Sequence, residues 1–159
     1  MSASASVAIT VPVAPERAFD IFTRDIGLWW RRTPQYRFRP GRDGTLRFEP
    51  GIGGRLVEAY GEAPDDLYEV GRVLDWIPGE RLAFEWRGPN YLPGQATEVE
   101  VRFRATAGGT RVVVEHRGWE TLPPNHPALH GDELGAHLRR LGTWWQGALD
   151  GLLGRFPLA

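Results

Sequence analysis

Polar and hydrophobic residues alternate over much of the chain in the pattern of antiparallel strands. The alternation is clearest over residues 98–104, where Val99, Val101 and Phe103 are separated by charged residues. Because successive side chains of a strand point to opposite faces, this segment has one buried face and one solvated face. Shorter runs of this kind, separated by glycine and proline turns, predict strands at residues 7–11, 37–39, 45–49, 55–60, 68–76, 81–86 and 110–116.

Helical periodicity is found near the two ends of the chain. The segment after the opening strand predicts a helix from Pro15 to Phe22, because proline suits the first helical turn. A second short helix is predicted between residues 25 and 30, and a last helix from near Asp132, a good N-cap residue, to about Gly154. The apolar residues of the last helix recur at steps of three and four in one stripe: Leu134, Leu138, Leu141, Trp145, Ala148 and Leu152.

These elements predict an α+β protein with the order of a helix-grip fold. In that arrangement a curved antiparallel sheet, here of about six to seven strands, wraps around a long C-terminal helix. Two short helices follow the first strand. A length of 159 residues fits one domain. We therefore expect a single domain over residues 1–159, with residues 1–6 as a flexible tail.

Composition excludes several classes of enzyme. The chain contains no cysteine, which excludes disulfides, thiolate nucleophiles and cysteine-ligated metal sites. All 19 basic residues are arginine, so no lysine is present for a Schiff base or a phosphate-binding loop. The only serines lie in the predicted tail, which argues against a Ser-His-Asp hydrolase. No signal segment or membrane span is visible, so a cytoplasmic location is expected.

Charge is balanced overall but unevenly distributed. The net charge of −1 gives no general attraction to nucleic acid or to an anionic membrane, so neither is expected as a partner. Residues 31–55 contain seven arginines and two acids, a local charge of +5, whereas residues 58–85 contain eight acids and two arginines, a local charge of −6. We interpret the two segments as outward faces of strands that pair across the sheet; the alternative is a patch for nucleic acid or an acidic partner.

Several segments resemble the SRPBCC superfamily, also called START/Bet v 1-like. Residues 13–19 and the sequence Leu28-Trp29-Trp30 resemble its opening, in particular that of the branch named for the activator of the heat-shock protein 90 ATPase. Residues 71–86 and 109–120 are similar to the central hairpin and last strand of that branch. The resemblance covers residues 7–156. It implies an apolar cavity between sheet and helix, where many members bind hydrophobic small molecules and some polyketide cyclase/aromatase relatives perform acid–base chemistry.

The predicted pocket lies between the inner face of the sheet and the last helix. The seven tryptophans either fill the core or, with other aromatic side chains, line an apolar cavity that offers a few polar groups. The residues expected to bind a ligand are Trp30, Tyr36, Phe38, Phe84, Trp86, Val101, His116, Leu138, Leu141 and Trp145. Of these, Trp30, Tyr36 and Phe38 are expected near the mouth.

His116 is the candidate polar group of this pocket. It shares strand parity with Val112 and Val114, so its side chain is expected to point inward. An inward histidine is a hydrogen-bonded core residue, a polar anchor for a ligand or, in an enzyme, a general base. Strand parity does not identify a carboxylate on the same face of the sheet that would act with His116 in catalysis. His116 is therefore a catalytic candidate only under an enzyme hypothesis.

Ionisable residues cluster just before and within the start of the last helix: His126, His130, Asp132, Glu133 and His137. Glu133 and His137 have the spacing that would let one helix face hold a metal ion. The spacing of the loop histidines matches no metal motif, so we expect a solvated helix start, no metal and no cofactor. The glycine-rich segment 51–54 lacks the spacing of a phosphate loop and is expected to form a turn.

Three functions remain open. The first is a binding protein that holds a small hydrophobic molecule between the sheet and the last helix without catalysis. The second is a cyclase/aromatase-like or hydrolytic enzyme that uses His116 in the same cavity. The third is a chaperone-activator-like protein-interaction domain that works through residues 31–55. The sequence identifies no protein partner, and exposed tryptophans would be compatible with a homodimer.

Overall fold

The computed structural model describes residues 4–30, 38–39 and 41–156, which form seven strands and three α-helices. The strands are β1 (Ser4–Val11), β2 (Thr45–Phe48), β3 (Arg55–Ala59), β4 (Leu67–Ile77), β5 (Arg81–Trp86), β6 (Thr97–Thr106) and β7 (Gly109–Arg117). The helices are α1 (Pro15–Arg24), α2 (Ile26–Trp29) and α3 (Leu134–Leu153). Two single turns of 3-10 helix, Trp119–Thr121 and Pro127–Leu129, lie between β7 and α3.

The seven strands form one antiparallel sheet in the order β1-β7-β6-β5-β4-β3-β2. The chain runs as a meander from β2 to β7, and β1 is added beside β7. Irregular register in β4, opposite both β3 and β5, marks bulges that bend the sheet. At one bulge, a Cβ on Gly71 would clash with the backbone carbonyl oxygen of Glu85. Only glycine permits this close approach of two strands, which explains a glycine in the interior of a strand.

The alternation in the sequence decides which face of the sheet is buried. The inward residues of β5, β6 and β7 are Leu82, Phe84, Trp86, Val99, Val101, Phe103, Val112, Val114 and His116, and all are buried. The 20-residue helix α3 contributes Leu141, Trp144, Trp145, Ala148, Leu149 and Leu152 to the same core. This is the helix-grip α+β architecture that the sequence predicts. Within the described ranges, no helix is both long enough and apolar enough to cross a membrane.

Two segments near the start of the chain differ from the prediction. Residues 4–6, expected in a tail, belong to β1 and pair with residues 115–117, because β7 offers backbone partners along that length. Phe38, expected in a strand, lies in a bend, where its ring contacts Tyr68 and Trp86 at centroid distances of 5.1 and 5.3 Å. The alternation around Phe38 covers only three residues, which is too short to specify a strand.

The start of α3 also differs from the prediction. Its N-cap is Glu133, whose side chain makes no capping hydrogen bond. Asp132, the predicted cap, forms an ion pair with Arg140 instead, with 2.7 Å between Oδ2 and Nη2. The predicted apolar stripe also omits a buried residue at this end of the helix. His137 is completely buried, whereas Leu138, which the stripe includes, is only partly buried.

Ion pairs join the arginine-rich and acidic segments. Arg39 and Arg42 both pair with Asp66, but all three lie outside the strands, so these ion pairs are not the predicted pairing of outward strand faces. Arg55 pairs with Glu49 inside its own segment, at 2.7 Å. The remaining arginines of the segment include three that lie outside the described residues: Arg31, Arg32 and Arg37.

A buried carboxylate lies on the outer face of the central strands. Glu100 on β6 alternates with the inward Val99 and Val101, yet its side chain is only 3% exposed. Three guanidinium groups surround it, from Arg81, Arg102 and Arg117. Burial raises the pKa of Glu100, but the hydrogen bond from Arg117 and the charges of the three arginines outweigh burial and hold the pKa below its ordinary value.

Candidate ligand-binding site

Aromatic rings from the sheet, α3 and the chain after α2 form one continuous group, which we call the inner aromatic cluster. Its members are Trp30, Phe38, Tyr68, Trp86, His116, Trp119, His137, Trp144 and Trp145. The ring centroid of Trp30 lies 5.6 Å from Trp86 and 5.3 Å from Trp145, so it joins the sheet to the helix. Stacked and edge-to-face contacts at these distances stabilise packing beyond burial alone.

Strand register brings several of these residues to one end of the sheet. Trp86, the last residue of β5, pairs with Thr97, the first residue of β6. His116, near the end of β7, pairs with Val99 two residues further along β6. Trp30 directly follows α2 and caps it. Residues far apart in the sequence meet here because neighbouring strands run in opposite directions.

Both ring nitrogens of His116 are hydrogen-bonded. Trp145 Nε1 donates to His116 Nδ1 over 3.2 Å. His116 Nδ1 must therefore be the unprotonated nitrogen, and Nε2 carries the hydrogen that it donates to Thr97 Oγ1 over 2.8 Å. The Thr97 hydroxyl in turn donates to the Trp86 carbonyl oxygen over 3.2 Å. The result is a satisfied chain from α3 through β7 and β6 to β5.

The environment of His116 also fixes its charge. The side chain is 1% exposed, and burial, with a smaller effect of nearby His137, lowers the pKa of His116 to about 3. A neutral imidazole with both nitrogens occupied has no free site at which to take a proton from a substrate. The geometry is that of a hydrogen-bonded core histidine, which weighs against the enzyme hypothesis.

His137 differs from His116 in its hydrogen bonding. It is 0% exposed, and its ring centroid lies 4.4 Å from that of Trp119. Within the described residues, neither ring nitrogen of His137 has a hydrogen-bond partner, and the same holds for Trp119 Nε1. Burial, with a smaller effect of His130, lowers the pKa of His137 to about 4, so the ring is neutral at pH 7.

A recess of about 490 Å³ opens beside Trp119. The connection between β7 and α3 and the first residue of α3 form it, with the lining residues Trp119, Glu120, Leu122, Pro124, Leu129, Gly131, Asp132, Glu133 and Leu134. A second recess, of about 430 Å³, lies between α1 and β4 and includes Phe19 and Trp76. The first recess adjoins the inner aromatic cluster, because Trp119 belongs to both.

The structure brings together half of the residues predicted to bind a ligand. Trp30, Phe38, Trp86, His116 and Trp145 are buried members of the inner aromatic cluster. Phe84, Val101 and Leu141 are buried elsewhere in the core, and Leu138 is partly buried. The Phe84 ring contacts that of Phe48, on the side of the core nearer Trp76. Tyr36 lies outside the described residues.

The sequence analysis missed two residues next to the recess. Trp119 lies in a connection with no periodic pattern, so no strand or helix rule places it in the core. His137 was assigned to a solvated helix start, which is wrong because its side chain is completely buried. A usable signal was present: His137 lies one turn before Leu141 and two turns before Trp144, on the buried side of α3.

The alternative of a metal ion held by Glu133 and His137 finds no support in the positions of the two side chains. Glu133 is exposed while His137 is buried, so the two side chains do not share a surface. His126 is buried as well, where it bonds to Gln95 over 2.8 Å and accepts the Ala128 backbone N–H at Nδ1. In the part of the chain that the structure describes, no group of three or more histidines and carboxylates could hold a metal ion. The segment 51–54 forms a turn, with positive φ at two of its glycines.

Solved structures with the same fold cover almost the whole chain. Protein MLL2253 from Mesorhizobium loti has 18% sequence identity and a TM-score of 0.61, over 98% of this chain and 99% of that chain. ChR145 from Cytophaga hutchinsonii has 18% identity and a TM-score of 0.62, over 94% and 90%. CalU16 from Micromonospora echinospora has 20% identity and a TM-score of 0.56, over 95% and 74%. At these identities the likeness shows the fold alone.

Sequence comparison identifies the family. No curated protein matches the chain. A family model described as activator of Hsp90 ATPase homolog 1-like protein matches residues 12–144, which is well over half of the chain. The matched range includes strands β2 to β7, the recess and the first half of α3. This chain therefore belongs to the family of activator of Hsp90 ATPase homolog 1-like proteins, within the SRPBCC superfamily.

Proposed function

We propose that this protein binds a small, largely hydrophobic molecule between the sheet and α3, with no catalytic step. The observation that carries the proposal is an open recess of about 490 Å³ at the end of the space between sheet and helix. The connection between β7 and α3 forms it, and its lining residue Trp119 contacts His116 of the inner aromatic cluster. Ligand sites combine apolar and aromatic walls with a few polar groups, and volumes of roughly 300–1,000 Å³ are typical of them. The family to which the chain belongs supports the same function.

Residues of the inner aromatic cluster are the proposed walls of the site. Trp30 and Phe38 both contact Trp86. Trp145 faces them from α3. Tyr36, Leu138 and Leu141 remain proposed contacts on the basis of sequence position. Phe84 and Val101 contribute to the same inner face of the sheet from further inside the core.

Binding is favoured over catalysis by the state of His116. Both of its nitrogens are engaged by Trp145 and Thr97. The chain also has no cysteine or lysine that would serve as a nucleophile. The interaction-domain hypothesis has less support, because Arg39, Arg42 and Arg55 are already paired with carboxylates.

The test is titration with N-phenyl-1-naphthylamine, a neutral apolar dye whose fluorescence rises in an apolar site. We expect saturable binding to the wild-type protein, and a several-fold weaker affinity in Trp86→Phe. Trp76→Phe is the matched control, because it removes an indole whose ring packs against Phe19 and Phe48 instead of the inner aromatic cluster. Absence of saturable binding, or equal effects of the two variants, would contradict the proposal.

Native mass spectrometry of the protein purified from its own host complements the dye. A discrete additional mass of a small organic molecule would support the proposal and identify the ligand. A protein that carries no such mass and also fails to bind the dye would overturn it.

A further inference from the structure

The connection between β7 and α3 covers polar atoms that nothing in the described chain satisfies. Trp119 Nε1 and both ring nitrogens of His137 lack hydrogen-bond partners among the described residues. Both side chains are more than nine-tenths buried. Buried donors and acceptors in folded proteins almost always have a partner. Trp119 and His137 contact each other, and the ring nitrogens of both lack a hydrogen-bond partner among the described residues. These nitrogens are therefore available to a hydrogen-bonding group of another molecule.

The recess lies directly beside these atoms. Trp119 forms part of its wall, and Leu122, Leu129 and Leu134 make much of the remaining lining apolar. His137 lies one helical turn after Leu134 and packs its ring against that of Trp119. His137 is not among the lining residues, so a molecule in the recess would reach it only after movement of the Trp119 side chain or of the connection.

We propose that the recess binds the polar end of an uncharged ligand, whose carbonyl or hydroxyl oxygen accepts a hydrogen bond from Trp119 Nε1. His137 completes the recognition, because a neutral imidazole offers one donor and one acceptor. The inference rests on the proposed function and deepens it, since it assigns the chemistry of the ligand's polar group.

Charge at the recess selects against an anionic ligand. The lining includes the exposed carboxylate of Glu133 beside the acidic residues Glu120 and Asp132, and no arginine is among the lining residues. Arg140 is already paired with Asp132. A ligand carboxylate would meet like charges on entering, whereas a ketone, ester or alcohol would not. Burial also keeps His137 neutral, because it lowers its pKa, so the ring offers no cation to an anionic group.

Access to the nitrogens requires a small movement of the connection. Each of the three atoms is covered in this structure. Residues with left-handed backbone lie at both ends of the connection: φ is 92° at Gly118, 54° at His130 and 80° at Gly131. Glycine tolerates either sign of φ, so Gly118 and Gly131 are suited to absorb the rotation when the connection moves away from α3.

Three naphthalenes of similar shape test the inference: 2-acetylnaphthalene, with a carbonyl acceptor, 2-ethylnaphthalene, without one, and the anion 2-naphthoate. Each is titrated into the ¹⁵N-labelled wild-type protein while the tryptophan indole N–H resonances are recorded. Trp119→Phe identifies the Trp119 resonance by its disappearance. We expect 2-acetylnaphthalene to move that resonance downfield, 2-ethylnaphthalene to bind without moving it comparably, and 2-naphthoate to bind most weakly.

Affinities in the variant provide a second measurement. Loss of one hydrogen bond predicts that Trp119→Phe weakens 2-acetylnaphthalene binding about fivefold to tenfold and changes 2-ethylnaphthalene binding less than about twofold. Trp76→Phe is the control and should change neither. If both neutral probes bind the wild type but the Trp119 resonance does not respond to the carbonyl, the inference is overturned and the proposed function survives. If no naphthalene binds, the proposed function fails with it.

Discussion

The indole nitrogen of Trp145 donates a hydrogen bond to Nδ1 of His116 over 3.2 Å, between the middle of α3 and the end of β7. This bond connects the helix to the sheet inside the core, where water does not compete for either atom. Because Nδ1 accepts this bond, the hydrogen of the His116 ring lies on Nε2. Nε2 donates that hydrogen to Thr97 Oγ1 and so orients the Thr97 hydroxyl. One donor on the helix therefore organises polar groups on two strands.

Replacing Trp145 should be costly for stability. Trp145→Phe leaves His116 Nδ1 without its donor and removes part of a completely buried ring, so we expect a loss of about 2–4 kcal/mol in the free energy of unfolding. Chemical denaturation measures the loss. Trp76→Phe, at a partly buried indole, should cost clearly less. Equal losses in the two variants would show that the bond to His116 contributes nothing beyond ring volume.

Two of the buried histidines, His116 and His137, should respond in opposite ways to the same substitution. His116→Leu leaves the Trp145 indole N–H without an acceptor and Thr97 Oγ1 without the hydrogen bond that it accepts, so we expect it to lower the free energy of unfolding by about 2–4 kcal/mol. His137→Leu removes two nitrogens that lack partners in the described chain, so we expect it to raise that free energy by about 1 kcal/mol. Thermal and urea unfolding of both variants check the signs. Destabilisation by His137→Leu would mean that an unseen partner, such as an internal water, satisfies the ring.

Stability should fall as the pH is lowered from 7 to 5. Burial lowers the pKa of His116 to about 3 and that of His137 to about 4, whereas in the unfolded chain both titrate near the ordinary value of about 6.5. Below that value the unfolded state binds protons that the folded state does not, so each histidine removes about 1.4 kcal/mol per pH unit. The loss from His137 levels off near pH 4 and that from His116 near pH 3.

Urea unfolding at several pH values measures this slope. His137→Leu should reduce the slope by close to one proton between pH 6 and pH 5, a window above the range in which carboxylates titrate. An unchanged slope in this variant would mean that His137 is protonated in the folded protein.

Neutralising Glu100 should destabilise the sheet from its outer side. Glu100→Gln takes the shared carboxylate from Arg81, Arg102 and Arg117. Their side chains are 43%, 50% and 24% exposed and can be hydrated, so we expect a loss of about 1.5–3 kcal/mol in the free energy of unfolding. Glu98→Gln is the matched control, because Glu98 also pairs with Arg117 but its side chain is 35% exposed, and its loss should cost less than about 1 kcal/mol. Denaturation at low and high salt measures both; similar costs would show that burial of Glu100 has no energetic consequence.

The sheet was predictable from the sequence because strand alternation and burial follow the same period. Val99, Val101 and Phe103 point inward as their spacing predicts, and the same parity places His116 in the core. Parity states the direction of a side chain but not its partners. That Trp145 and Thr97 occupy both nitrogens of His116 depends on how α3 lies over the sheet, which no local pattern contains.

The recess was not predictable for the same reason. Trp119 belongs to an irregular connection, and His137 lies at the edge of a helical stripe, where a polar residue is ordinarily solvated. Their burial results from the path of the connection between β7 and α3 over the end of the sheet. Phe38 was assigned to a strand because of a short alternation, although its ring is held by Tyr68 and Trp86.

The pairing of β1 with β7 also has a kinetic consequence. Residues 4–11 hydrogen-bond to residues 110–117, so two distant parts of the chain must meet before this ladder exists. Entropy of loop closure opposes such contacts until the intervening meander has brought the ends together, and domains rich in distant pairings fold slowly. β1 is thus expected to join a sheet that is already largely formed, and its amides should gain protection from hydrogen exchange later than those of β6.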